Sequence, residues 1–160
     1  MKAFALILIV LVLAAICAVG YIYLTARLDV QFVSCVATDA VSQADYFNTL
    51  KEKLASSSFV GTRFSDVVPG SPEHYQFLTY TVRLSNRAFL PAEIVEIRIT
   101  PMGEDLLQVG DEVPHDLPAG RNTDLSAMIL TTRDMHSVRE ATVSWYFWGI
   151  PFTSKLTFGR

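Results

Sequence analysis

Three histidines, two cysteines and a run of carboxylates are the side chains of this chain best suited to chemistry, and their spacing decides which chemistry is open. His74, His115 and His136 stand far apart in sequence. None has a second His or Cys at the H-x-x-x-H or H-E-x-x-H spacing that puts two metal ligands on one helix face. His136 precedes Ser137, but neighbours along a strand point to opposite faces, so they form no nucleophile–base pair. G-x-S-x-G, C-x-x-C, G-x-x-x-x-G-K and G-x-G-x-x-G are all missing from the sequence. The expectation is a protein that is not an enzyme and that holds no cofactor and no metal.

Cys17 lies inside an apolar stretch and Cys35 beyond it, so the two cannot pair with each other. Cys35 reads as a small, buried hydrophobe, with a bridge to a partner chain as the other reading. Between Glu104 and Asp116 come Asp105, Asp111 and Glu112, without one basic residue. A hard cation needs several oxygens converging at about 2.3–2.6 Å. The run lacks a D-x-D-x-D-G loop, and Pro114 and Pro118 suit an extended, solvated loop.

The remaining unusual stretch is aromatic: Trp145-Tyr146-Phe147-Trp148, followed by Ile150 and Phe152. Strand alternation turns Val143, Trp145 and Phe147 inward and leaves Tyr146 and Trp148 on the opposite face. With Ile150, Phe89 and Leu90 they form a candidate interaction surface for a protein, a glycan or a lipid. The competing expectation is that a helix covers Tyr146 and Trp148.

The elements that must position these residues begin with an anchor. Phe4 to Leu24 is twenty-one residues without a charge. As a helix it spans about 31 Å at ~1.5 Å per residue, against a hydrocarbon core of about 30 Å. Tyr21 and Tyr23 suit an interfacial aromatic belt. Retention as a membrane anchor is the leading reading. Cleavage after Ala18-Val19-Gly20 is the alternative, and Ile16 before Cys17 argues against a lipoprotein. The division is therefore an anchor over 1–26 and one extracytoplasmic domain over 27–160, the N-terminus staying in the cytoplasm. With Lys2 set aside, 12 basic and 16 acidic residues remain, a net charge of −4 against −3 for the whole chain. A mildly acidic domain without basic clusters is no nucleic-acid binder.

Arg27–Val36 alternates as a strand, with Leu28, Val30, Phe32 and Ser34 on one face and Asp29, Gln31, Val33 and Cys35 on the other. Residues 39–54 change to a helical period through Val41, Ala44, Phe47 or Tyr46, Leu50 and Leu54, with Asp39 or Ser42 as N-cap. Strands follow at 75–84, 92–100, around 106–107, and at 123–130, 141–148 and 152–158, separated by Pro, Gly and Asn turns. About seven strands with one inserted amphipathic helix predict a mainly β, immunoglobulin- or fibronectin-like antiparallel sandwich, with a continuous barrel as runner-up.

Val82-Arg83-Leu84-Ser85-Asn86 before Phe89-Leu90-Pro91, Leu117-Pro118-Ala119-Gly120, and Trp148-Gly149-Ile150-Pro151-Phe152 resemble stretches of group-2 late-embryogenesis-abundant, water-stress-type domains. The resemblance covers residues 28–158. The helix at 39–54, and Asn86-Arg87 where those domains have Asn-Pro, depart from it. It implies a non-catalytic fibronectin type III-like sandwich and carries over no site residues. The expected function is a membrane-anchored structural or protein-interaction module, the alternative a secreted or surface glycan- or lipid-binding protein. If the strands alternate up and down, the 86–91 loop, the acidic 109–122 loop and the 148–151 turn all return to the membrane end.

Overall fold

The structure is a computed structural model that describes residues 2–25, 27–56, 58–110 and 115–158. Helix α1 (Lys2–Thr25) leads into strand β1 (Leu28–Asp39), a 3₁₀ turn (Ala40–Gln43) and helix α2 (Ala44–Ala55). Then come β2 (Thr62–Arg63), β3 (Tyr75–Asn86), β4 (Ala92–Ile99), β5 (Asp105–Gly110), β6 (His115–Leu117), β7 (Asn122–Thr132), β8 (Arg139–Phe147) and β9 (Ile150–Phe158). The chain is mainly β. One antiparallel sheet runs β1-β3-β7-β5-β2 and the other β6-β4-β8-β9.

Residues of both sheets meet in one core: Leu78, Tyr80, Val82 and Leu84 from β3 against Val95, Ile97, Val143, Trp145 and Phe147 from β4 and β8. A second core lies on the other face of the five-stranded sheet. There Phe47, Leu50 and Leu54 of α2 pack on Phe77, Leu107, Val109 and Leu130. The layers are thus helix, sheet, sheet. Because α2 covers the five-stranded sheet, it does not cover Tyr146 and Trp148, which belong to the other one.

The described residues hold nine strands where about seven were expected, the additions being the short β2 and β6. The alternation read for β1 also fails halfway. A bulge between Phe32 and Ser34 shifts the register; an extra residue in one strand reverses its later side chains. Cys35 and Ala37 therefore pair with Tyr80 and Leu78, and Cys35 packs on the main core instead of facing away from it. Neither expected cap works as one: the turn at Asp39 and the start of α2 have no side-chain cap, and the Ser42 hydroxyl donates to the Asp39 carbonyl at 2.6 Å. Val41 is exposed.

β4 pairs with β6 only through Ala92 and Val95. Past that point the Gln108 side chain, arriving from the other sheet, takes over. Its Nε2 donates to the Ile97 carbonyl and its Oε1 accepts from the Ile99 amide, both at 2.9 Å. This is the hydrogen-bond pattern a parallel strand residue opposite Arg98 would make.

Helix α1 is long and apolar enough over Ala3–Thr25 to cross a membrane, a property a signal sequence shares. Its last turns nonetheless belong to the folded domain. Ile22 is buried in the main core, Tyr21 stacks on Phe89 at 6.4 Å, and Tyr23 meets Phe152 at 5.6 Å. At 3.6 residues per turn, Tyr21 and Tyr23 lie on nearly opposite sides of the helix with Ile22 between them. The domain thus grips the helix like a saddle. In the detergent-solubilised full chain, Ile22→Ala should lower stability to denaturant by about 2 kcal/mol. Ile16→Ala, at a site 62% exposed, should change nothing; equal effects of the two would show that the saddle does not form.

Candidate functional site

The strand ends sort the loops into two groups. Leu28 pairs with Asn86, Ser85 with Asn122, Ala92 with Leu117, and Glu93 with Tyr146. The 86–92 loop, the 117–122 loop and the Trp148–Gly149 turn therefore gather at the end where α1 enters. That is the end the up-and-down count indicated, although two strands were missed in making it.

Asn86 organises this end. It is 1% exposed, its Nδ2 donates to the Leu90 and Leu117 carbonyls at 2.8 and 2.9 Å, and its Oδ1 accepts from the Ala88 amide. Its backbone accepts from Gly120 and donates to Arg121. One side chain thereby ties both loops down.

Of the sequence-derived surface, Phe89 is 56% and Trp148 66% exposed, while Leu90, Tyr146 and Ile150 are half-buried. All lie at the α1 end. They form no continuous platform, because Tyr146 stands on the outer face of the four-stranded sheet beside Glu93 and Pro151. The strand read as ending at Trp148 ends at Phe147, which pairs with Ile150. Trp148 and Gly149 form the two-residue turn with φ of 51° and 74°, the pattern of a type I′ hairpin. Glycine takes such angles freely, but a tryptophan there costs roughly 1–2 kcal/mol. Ile94, exposed at the β4 bulge, has φ 51° as well, and its amide donates to Asp116.

The far end holds a polar cluster the sequence reading misplaced. Asp105, expected in a solvated loop, is fully buried with Arg139. Arg139 Nε and Nη2 donate to the two Asp105 oxygens at 2.9 and 2.8 Å, and Nη1 donates to the His136 and Val138 carbonyls. Burial pushes the Asp105 carboxyl up. Hydrogen bonds from Arg139, the Met102 amide and Thr131, with the guanidinium charge, outweigh burial and hold it below its usual value. Beside this pair, the Tyr80 hydroxyl donates to the Ser137 carbonyl at 2.9 Å. Burial raises both the Tyr80 phenol and the half-buried Cys35 thiol, so Cys35 is no reactive thiolate at neutral pH. His136 and Ser137 precede β8 and lie in no strand. Here they offer backbone carbonyls.

Asp111, Glu112 and Pro114 of the acidic run lie outside the described residues, and His115–Leu117 is the strand β6. Among the described residues no group of three His, Cys, Asp or Glu side chains could hold a metal ion. A groove of about 200 Å³ lies beside Gln108, between Val60–Thr62 and Val95–Arg98. Thr62, Glu96 and Arg98 line it, and among the described residues no second carboxylate and no imidazole joins Glu96 there.

One signal in the sequence could have located α2 over the five-stranded sheet. Gln76, Phe77 and Leu78 are buried in succession, as are Asp105 to Val109 and Ile129 to Thr131. Unbroken runs of this kind mark strands covered on both faces. No protein-family model matches the chain, and no curated protein matches it either.

Proposed function

We propose that this chain is a membrane-tethered, extracytoplasmic interaction module of immunoglobulin- or fibronectin-like sandwich type, without catalytic activity. The observation that carries the reading is the saddle at Tyr21, Ile22 and Tyr23. It joins an apolar helix to the domain without a linker and holds the domain in one attitude to the helix.

Protein contacts are best assigned to β1. Among the described residues its one ladder is with β3, and its other edge carries no strand pairing, although Phe32 meets Phe158 of β9 edge-on at 5.2 Å. β1 also exposes Phe32, Val33 and Val36. An open edge with apolar side chains suits an added strand from a partner. Photo-crosslinking residues placed at Val33 or Val36 of the full chain in its native membrane should give a discrete adduct. The same groups at Thr153 or Lys155, on the exposed face of β9, should give none. Adducts from both faces alike, or none from β1, would overturn the assignment. The glycan- or lipid-binding reading is favoured by one observation, the exposure of Phe89 and Trp148.

A further inference from the structure

We propose that the α1 end of the sandwich is a lipid-facing seat. The Phe89 loop and the Trp148 turn enter the head-group region of the membrane that α1 crosses, and zwitterionic phospholipid is the partner. The inference rests on the reading of α1 as a membrane span and goes beyond it. A span requires only that the helix cross; it does not require the domain to touch the bilayer.

Depth is the first reason. Phe89 stacks on Tyr21, a residue inside the uncharged stretch Phe4–Leu24 and four positions before Thr25. At ~1.5 Å per residue the loop therefore reaches about 6 Å back along the helix from its end. Phe152 meets Tyr23, and β9 runs from Ile150 near α1 towards Phe158 at the far end. The Trp148–Gly149 turn thus overhangs Phe152 on the membrane side, by up to about 7 Å for two strand residues. A bilayer of ordinary thickness around α1 leaves these tips no aqueous place to stand.

Composition is the second. Phe89 and Trp148 are the large apolar side chains left most exposed by the domain at this end, and Trp is the side chain that interfaces favour. Trp148 is displayed on a strained left-handed turn position that the fold has no packing reason to fill with an aromatic. Strain retained at a tip points to use of the tip.

Charge selects the lipid. Arg27, Arg83, Arg87 and Arg121 lie at this end with Asp29, Glu93, Asp116 and Asp124. Arg87 pairs with Asp29 at 3.1 Å and Arg83 with Asp124 at 2.7 Å. Balanced, partly paired charge matches a phosphate–choline head group and gives no attraction for a net anionic surface.

The test uses the full-length protein in phosphatidylcholine vesicles, with Cys17 and Cys35 replaced by alanine. An environment-sensitive fluorophore is attached through Trp148→Cys, Phe89→Cys, Lys51→Cys or Leu11→Cys, one at a time. The Trp148 and Phe89 labels should emit blue-shifted, be quenched by lipids spin-labelled near the head group, and resist aqueous iodide several-fold better than the Lys51 label. One-third phosphatidylserine should leave these ratios unchanged. A Leu11 label quenched by deep spin labels together with Trp148 and Phe89 labels as iodide-accessible as Lys51 would overturn the seat and leave the span standing. A water-exposed Leu11 label would remove the span and the seat with it. Strengthened quenching at both tips with phosphatidylserine would overturn the choice of lipid.

Discussion

Arg139→Ala should lower the unfolding free energy of the domain by about 3–5 kcal/mol, the range for breaking a buried ion pair by removing one partner. Both side chains of the pair are fully excluded from solvent. Truncating the arginine strands the Asp105 carboxylate without water or counter-charge and frees the His136 and Val138 carbonyls it now satisfies. Urea unfolding followed by tryptophan fluorescence measures the loss. The double variant Arg139→Met with Asp105→Leu should recover most of it, because well-packed apolar residues replace such pairs at little cost. An unchanged midpoint for Arg139→Ala would show that the pair is not formed. The same pair sets an acid limit. The folded Asp105 lies below its unfolded value near 3.9. Its contribution is therefore complete above that pH and fades as pH falls through the depressed folded value. In Asp105→Leu/Arg139→Met the acid slope should be shallower.

Trp145→Ala should also cost about 3–5 kcal/mol, through lost burial and the cavity left behind. Trp145 is 4% exposed and stacks on Phe152 at 6.1 Å with an 11° tilt. Phe152 in turn meets Tyr23, so the cavity would open beneath the saddle and loosen α1 as well. Trp145→Phe should cost far less than the alanine variant. The indole Nε1 is buried and meets no acceptor among the described residues; phenylalanine removes that unsatisfied donor while keeping the ring stack. Trp148→Ala, at the exposed turn, should stay within about 0.5 kcal/mol. A Trp145→Ala melting curve that overlays the parent would mean that β8 faces the other way.

Where local chemistry decides structure, the sequence was informative. Val82 and Leu84, Val95 to Ile99, and Val143 to Phe147 alternate, and their faces are the buried ones. The amphipathic period of α2 likewise names Leu50 and Leu54 and leaves Phe47 or Tyr46 open, of which Phe47 is the buried one. Features set by distant partners were not legible. Asp105 and Arg139 are 34 residues apart, and nothing in a run of acids tells which member meets a guanidinium. The bulge at Val33 has no glycine or proline to mark it. β2 and β6, with 2 and 3 residues, are too short to carry a period. The three loops were legible at the α1 end because the long strands reverse direction one after another; β2 runs the same way as β1 and β6 the same way as β5, so the two missed strands add no reversal.

Gln108 has a consequence for how the domain behaves when crowded. Open sheet edges are the usual starting points of intermolecular polymerisation, and proteins blunt them with charges, prolines or covering loops. Here a single amide occupies the hydrogen-bonding groups of Ile97 and Ile99 and needs no extra strand to do so. Leucine at this position would keep the volume and leave one carbonyl and one amide unclaimed at the margin of the four-stranded sheet. Such a variant would show its defect first as concentration-dependent aggregation, at temperatures where the fold itself still holds.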